Sequence, residues 1–128
     1  MYEQDIARGV AVLNRQLPEW RATVDVELLD LSSTNRCVVG QALGVVDVIK
    51  TVPTDVSWYD ALEQLGAPGI KAHWGTAETI EWVENHGFEG RRLTDGQRDY
   101  GRLTFEWVAY LTGNLELPDQ TTSPEDTK

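Results

Sequence analysis

The feature that constrains this chain most is its last periodic stretch. Tyr100, Leu103, Thr104, Trp107, Tyr110 and Leu111 recur at helical spacing, which puts them on one face of an α-helix over three turns. A face that long and that aromatic has to be covered by other elements. The candidates upstream are helical as well. Ile6, Val10, Leu13 and Leu17 predict a helix over 2–17, closed by Pro18, which lacks an amide donor and disfavours helix before it. Gly9 interrupts that helix at a cost of roughly 1 kcal/mol relative to alanine, which marks it as a point where another element packs closely.

Trp58, Ala61, Leu62 and Leu65 predict another helix, with Gly66 as its left-handed C′ residue. Cys37, Val38, Gln41 and Ala42 predict a short helix ending near Gly44. Thr76 is the expected N-cap of a helix whose buried side is set by Ile80 and Val83, with Trp82 beside them; Gly87 and Phe88 are placed to close it in a Schellman motif. Thr94 and Gln97 have capping-box spacing, which predicts that the last helix starts near Asp95. Between these helices, Val24, Val26 and Leu28 alternate with Asp25 and Glu27 as a half-buried strand would, although one helical turn at 25–29 fits equally. Residues 45–54 are rich in β-branched side chains and predict an extended or irregular excursion.

The sum is a mainly α fold: a compact bundle of four to five helices over 1–112, with one short extended or irregular excursion. Residues 113–128 carry little that is apolar and predict a disordered acidic tail. At 128 residues the chain has room for one domain. No apolar run approaches the roughly 20 residues that a membrane span requires.

Charge and residue counts narrow the function. Twenty-one acids against 11 bases leave a net charge of −10, and such a surface repels phosphate backbones, which argues against direct nucleic-acid binding. One cysteine and two histidines exclude an internal disulfide framework and argue against a structural zinc site. No cofactor motif is present; Gly66-Ala67-Pro68-Gly69 lacks the lysine and the spacing of a phosphate loop.

Several groups are candidates for a site. Cys37 with His73 or His86 is a conceivable nucleophile–base pair, but no third orienting group is evident, and a lone cysteine on an apolar face reads as core. Glu78, Glu81 and Glu84 share one helix face, as a solvated face does. Arg91, Arg92, Arg98 and Arg102 form a local basic patch, with Asp95 and Asp99 in reach as ion-pair partners. Trp20, Trp58 and Trp107 fall on apolar faces. Trp74 lies instead in a Gly-rich loop beside His73, so Ile70, His73 and Trp74 are the candidate partner-binding residues. Asp25, Glu27 and Asp30 are the alternative: an acidic face that imitates DNA.

The strings Asp5-Ile6-Ala7-Arg8-Gly9-Val10, Pro18-x-Trp20, Cys37-Val38-Val39-Gly40-Gln41 and Tyr100-x-x-Leu103-Thr104-x-x-Trp107 together resemble small proteins common in actinobacteria and their phages. The resemblance covers roughly residues 5–44 and 100–111 and carries no activity with it. It implies a bacterial or phage cytoplasmic setting. The expectation is a small non-enzymatic protein that binds a bacterial host protein, with a homo-oligomer left open. A DNA mimic and an enzyme with an unrecognised active site are the other readings.

Overall fold

The computed structural model describes residues 2–33, 36–43, 58–71 and 75–117. Among them are six α-helices and no strand: α1 (Glu3–Gln16), the single turn α2 (Trp20–Thr23), α3 (Val38–Leu43), α4 (Trp58–Gln64), α5 (Ala77–Asn85) and α6 (Tyr100–Leu111). A 3-10 turn, Val26–Leu28, follows α2, so the helical alternative for 25–29 is the one adopted. The mainly α expectation holds. Residues 45–54 lie outside the described residues. None of the described helices is long and apolar enough to cross a membrane.

Three helices end in the same way. Gly66, Gly87 and Gly113 take φ values of +99°, +71° and +83°. In each case the next residue's amide reaches back over the turn: Ala67 to Leu62, Phe88 to Val83 and Asn114 to Ala109, at 3.0, 3.0 and 2.7 Å. These are Schellman closures, in which a glycine takes left-handed backbone at little steric cost. The Gly87 closure positions the core, because it turns Phe88 inward. Gly9 fits against this corner. A Cβ at position 9 would collide with the His86 carbonyl oxygen and come within 3.1 Å of the Phe88 ring. The glycine in the middle of α1 is therefore the point where α1 meets the end of α5.

Aromatic residues fill the centre. Trp107 is fully buried. It stacks on Phe88 at 6.3 Å and meets Trp20 edge-on at 6.3 Å, arrangements that add to their area burial. Its indole N–H donates to the Gly87 carbonyl at 2.6 Å. Trp20, 1% exposed, donates to Asn14 Oδ1 at 2.8 Å. Ile6, Leu13, Val38, Leu62, Val83 and Leu103 complete the same cluster.

Three local expectations are corrected. The last helix starts at Tyr100, not near Asp95. Leu93 N donates to Gln97 O at 2.6 Å, and Gly96 takes φ +87°, so Thr94 to Gln97 form a reversing turn closed by an Arg92–Arg98 bridge, not a capping box. Asp99 caps α6 instead, accepting from Arg102 N at 3.4 Å. Ile80 is 42% exposed, and Thr79 takes the inward position with Val83. The Thr79 hydroxyl serves two backbone groups at once: it donates to Pro68 O at 2.7 Å and accepts from Thr76 N at 3.1 Å, and that sets the rotation of α5. The chain also stays packed past α6, since Leu117 lies against the core. The expected boundary at 113 therefore falls before the last packed residue; residues 118–128 lie outside the described residues.

Candidate functional site

The loop between α4 and α5 carries the expected partner-binding residues. Ile70 is half-buried against the core; His73 and Trp74 lie outside the described residues. Both feet of the loop are built rigidly. Ala67 is buried, and Pro68 O is held by Thr79. Gly69 has φ +79°, and a Cβ there would collide with Thr76 Oγ1, so the outgoing and returning chain touch. Gly75 lies so close to the Tyr59 ring that a side chain would strike it. Gly69 and Gly75 are thus each set against packed residues, Thr76 and Tyr59.

The alternative acidic face is made of turn-forming carboxylates. Asp25 Oδ1 accepts from Glu27 N at 3.0 Å. Asp30 Oδ1 accepts from Ser32 N at 3.0 Å and from its hydroxyl at 2.6 Å. That hydroxyl, followed by the Ser32 amide, holds the Asp30 carboxyl below the usual carboxylate range. Glu27 is exposed. On α5, Glu78 and Glu81 face solvent while Glu84 pairs with Arg98 at 2.6 Å. Among the described residues no cluster of His, Cys, Asp and Glu is arranged to hold a metal ion.

The arginines do not form an open basic patch, and Asp95 and Asp99 are not their ion-pair partners. Arg91 reaches back to buried Asp5 with a two-pronged grip at 2.9 and 3.0 Å. Arg98 holds Glu84, and Arg102 holds buried Glu106 at 2.5 Å. Arg92 donates to Gly96 O at 3.2 Å. Asp95 caps the Gln97 amide, and Asp99 accepts from the Tyr2 hydroxyl at 3.2 Å.

The residues that do converge were not singled out as a group. Ser32, Ser33, Cys37, Trp58, Glu89 and Tyr100 come from five separate segments and line a cavity of about 70 Å³. The Trp58 indole N–H is buried there without a hydrogen-bond acceptor, although it lies close enough to the Cys37 sulfur to draw the thiol pKa down slightly. Burial outweighs that influence and pushes the thiol up; Gly40 N donates to Sγ at 3.3 Å. Burial also raises the Tyr100 phenol, helped by its hydrogen bond to Glu89. A thiol held protonated is a poor nucleophile. His86 is engaged elsewhere: its ring stacks on Trp82 at 4.0 Å, and Nδ1–H donates to the Trp82 carbonyl at 2.7 Å. The cavity is about half the size of one that holds benzene and suits a few waters or a small polar group. No spacing rule in the sequence links Trp58, Glu89 and Tyr100 to Cys37.

No family model, curated protein or solved structure matches this chain.

Proposed function

We propose that this chain is a small non-enzymatic binding protein of the bacterial cytoplasm, phage-derived, that engages a host protein through the loop between α4 and α5. The observation that carries this reading is the clamping of both loop feet, at Gly69 against Thr76 and at Gly75 against Tyr59. A loop held so costs less entropy to dock than a free one, and Trp74 supplies the large ring that interface anchors use. The net charge of −10 steers encounter with a basic partner surface.

The test is immobilised protein exposed to an actinobacterial lysate, with captured proteins identified by mass spectrometry. Trp74→Ala is expected to weaken capture of a specific protein by more than about 30-fold, the size of a hot-spot loss, while the circular dichroism spectrum stays unchanged. Equal capture by wild type and Trp74→Ala refutes the loop as the anchor. Capture lost only in the combined Asp25→Asn, Glu27→Gln and Asp30→Asn variant replaces this reading with the DNA mimic.

A further inference from the structure

The tryptophans that line buried space differ in one respect. Trp20 donates its indole N–H to Asn14 Oδ1 at 2.8 Å, and Trp107 donates to Gly87 O at 2.6 Å. The Trp58 indole N–H is buried with no hydrogen-bond acceptor among the described residues. Trp58 lines the cavity of about 70 Å³ that it shares with Cys37, Glu89 and Tyr100. The Cys37 sulfur lies near the indole, but a thiol is a weak acceptor, and Sγ already takes the Gly40 amide at 3.3 Å. Buried donors in folded chains are paired, because an unpaired one forfeits its hydrogen bond to water. A buried N–H at the wall of a cavity therefore calls for an acceptor from outside the chain.

The same cavity also offers an acceptor. Glu89 is half-buried and takes the Tyr100 hydroxyl proton in a hydrogen bond, which leaves its carboxylate lone pairs for another donor. Arg98 is near enough to feel the Glu89 charge but directs its own donors to Glu84 and to Gly90 O. These two groups select the ligand. An anion would meet Glu89 in a chain of net charge −10. A cation would suit Glu89 but has no acceptor for the indole. A neutral group carrying both an acceptor and a donor answers both. Size narrows the choice further: a cavity of about 150 Å³ holds the six carbons of benzene, so this one admits about three heavy atoms. A primary amide head has three, with acceptor and donor on separate atoms.

We propose that this cavity binds the primary amide head of a small molecule or of a peptide side chain, with the amide carbonyl accepting from Trp58 Nε1–H and the amide nitrogen donating to Glu89. Ser32 on the cavity wall is exposed while Cys37 is buried, so the cavity runs inward from the surface and the rest of a larger ligand stays outside. The site shares no residue with the partner-binding loop, and each reading can fail alone.

Nitrogen-15 labelling of the five tryptophan indoles tests it, with the Trp58 signal assigned through its contact with the Tyr59 ring, 5.5 Å between centres. Acetamide titrated to about 200 mM, a range suited to so small a ligand, is expected to move the Trp58 signal along a saturating curve and the other four without saturation. Acetate and N,N-dimethylacetamide, which lack the N–H donor, are expected to leave it in place. So are methylammonium, which lacks the acceptor, and ethanol, which carries both on one atom. Saturation transfer from the protein to the acetamide methyl reads the variants. Glu89→Ala is expected to weaken binding about tenfold, as loss of a hydrogen bond to a charged group does, and Trp58→Phe about fivefold. Glu89→Ala alters only a half-buried side chain, so the test does not depend on Trp58→Phe folding. Tighter binding of N-acetylglutamine methylamide than of acetamide assigns the site to a peptide side chain, and weaker binding to a free small amide. A Trp58 signal that acetamide leaves unmoved overturns the proposal and marks the cavity as a site of ordered water. A signal that any of the four control compounds moves equally, or acetamide binding unchanged in Glu89→Ala, overturns it as well.

Discussion

Replacing Trp107 by phenylalanine separates two contributions that the core makes through one side chain. The ring lies at the junction of α6, α2 and the end of α5, stacked on Phe88 and edge-on to Trp20. Phenylalanine keeps most of that apolar contact. It removes the indole N–H, the 2.6 Å donor to the Gly87 carbonyl. That carbonyl belongs to the turn that closes α5, and leaving it buried and unpaired costs about 1–3 kcal/mol. The smaller ring adds a shallow void worth roughly 1 kcal/mol. The expected loss is therefore about 2–4 kcal/mol for Trp107→Phe, against about 3–5 kcal/mol for a tryptophan truncated to alanine. Urea unfolding with an unchanged m-value reads the difference, and the melting temperature is expected to fall by about 4 °C or more per kcal/mol lost for a domain of this size. Amide exchange at Phe88, whose N–H bonds Val83 O in the same turn, should accelerate in step. A Trp107→Phe protein within about 0.5 kcal/mol of wild type, the scatter of surface substitutions, refutes the idea that this hydrogen bond closes the corner.

Other perturbations follow from the same contacts. Burial, the largest influence, lowers the His86 pKa, so the unfolded chain binds the proton more readily; His86 stabilises the fold fully above about pH 6.5, and stability is lost as pH falls through its folded value. The urea midpoint is expected to drop between about pH 7 and 5, and His86→Gln to flatten that slope; an unchanged slope refutes the assignment. Cys37→Ala is expected to cost about 1 kcal/mol and Cys37→Ser more, because the hydroxyl is buried beside Val38 and Val39; native protein should react with a thiol reagent only at the rate of unfolding. Truncation after residue 118 should leave the melting temperature unchanged. Truncation after residue 113 should lower it by several degrees, since it removes Leu117 from the core.

Local chemistry carried most of the fold in the sequence itself. Pro18, Thr76, Gly66 and Gly87 act within four residues of themselves, and each ends or starts a helix where its chemistry requires. Gly9 was legible as a close approach, although its partner, the His86 carbonyl, was not. The start of α6 misled because Thr94 and Gln97 fit two motifs. The same four residues make a capping box or a turn through Asp95-Gly96, and Gly96 settles it by taking positive φ. Ile80 misled because hydrophobicity alone ranks it above Thr79, whereas the Thr79 hydroxyl answers backbone groups on two sides of the loop.

Ion pairing explains why the site was less legible than the fold. Neighbour rules on a helix look three or four residues away, and by that rule Arg91, Arg92, Arg98 and Arg102 form a patch. In the folded chain Arg91 is consumed by Asp5, 86 residues distant, and Arg98 by Glu84. Only Arg102 finds its partner at helical spacing, in Glu106, which is itself buried and also accepts the Tyr2 amide at 2.8 Å. Each such pair leaves the net charge unchanged, and in two of them the carboxylate is the buried partner: Asp5 and Glu106 lie inside, while the Arg91 and Arg102 side chains stay 43% and 53% exposed. Residue counts along the chain therefore misjudge the surface for both signs, because a carboxylate that packing draws inside, such as Asp5 or Glu106, no longer adds to the exposed acidity while its arginine is held in place over it.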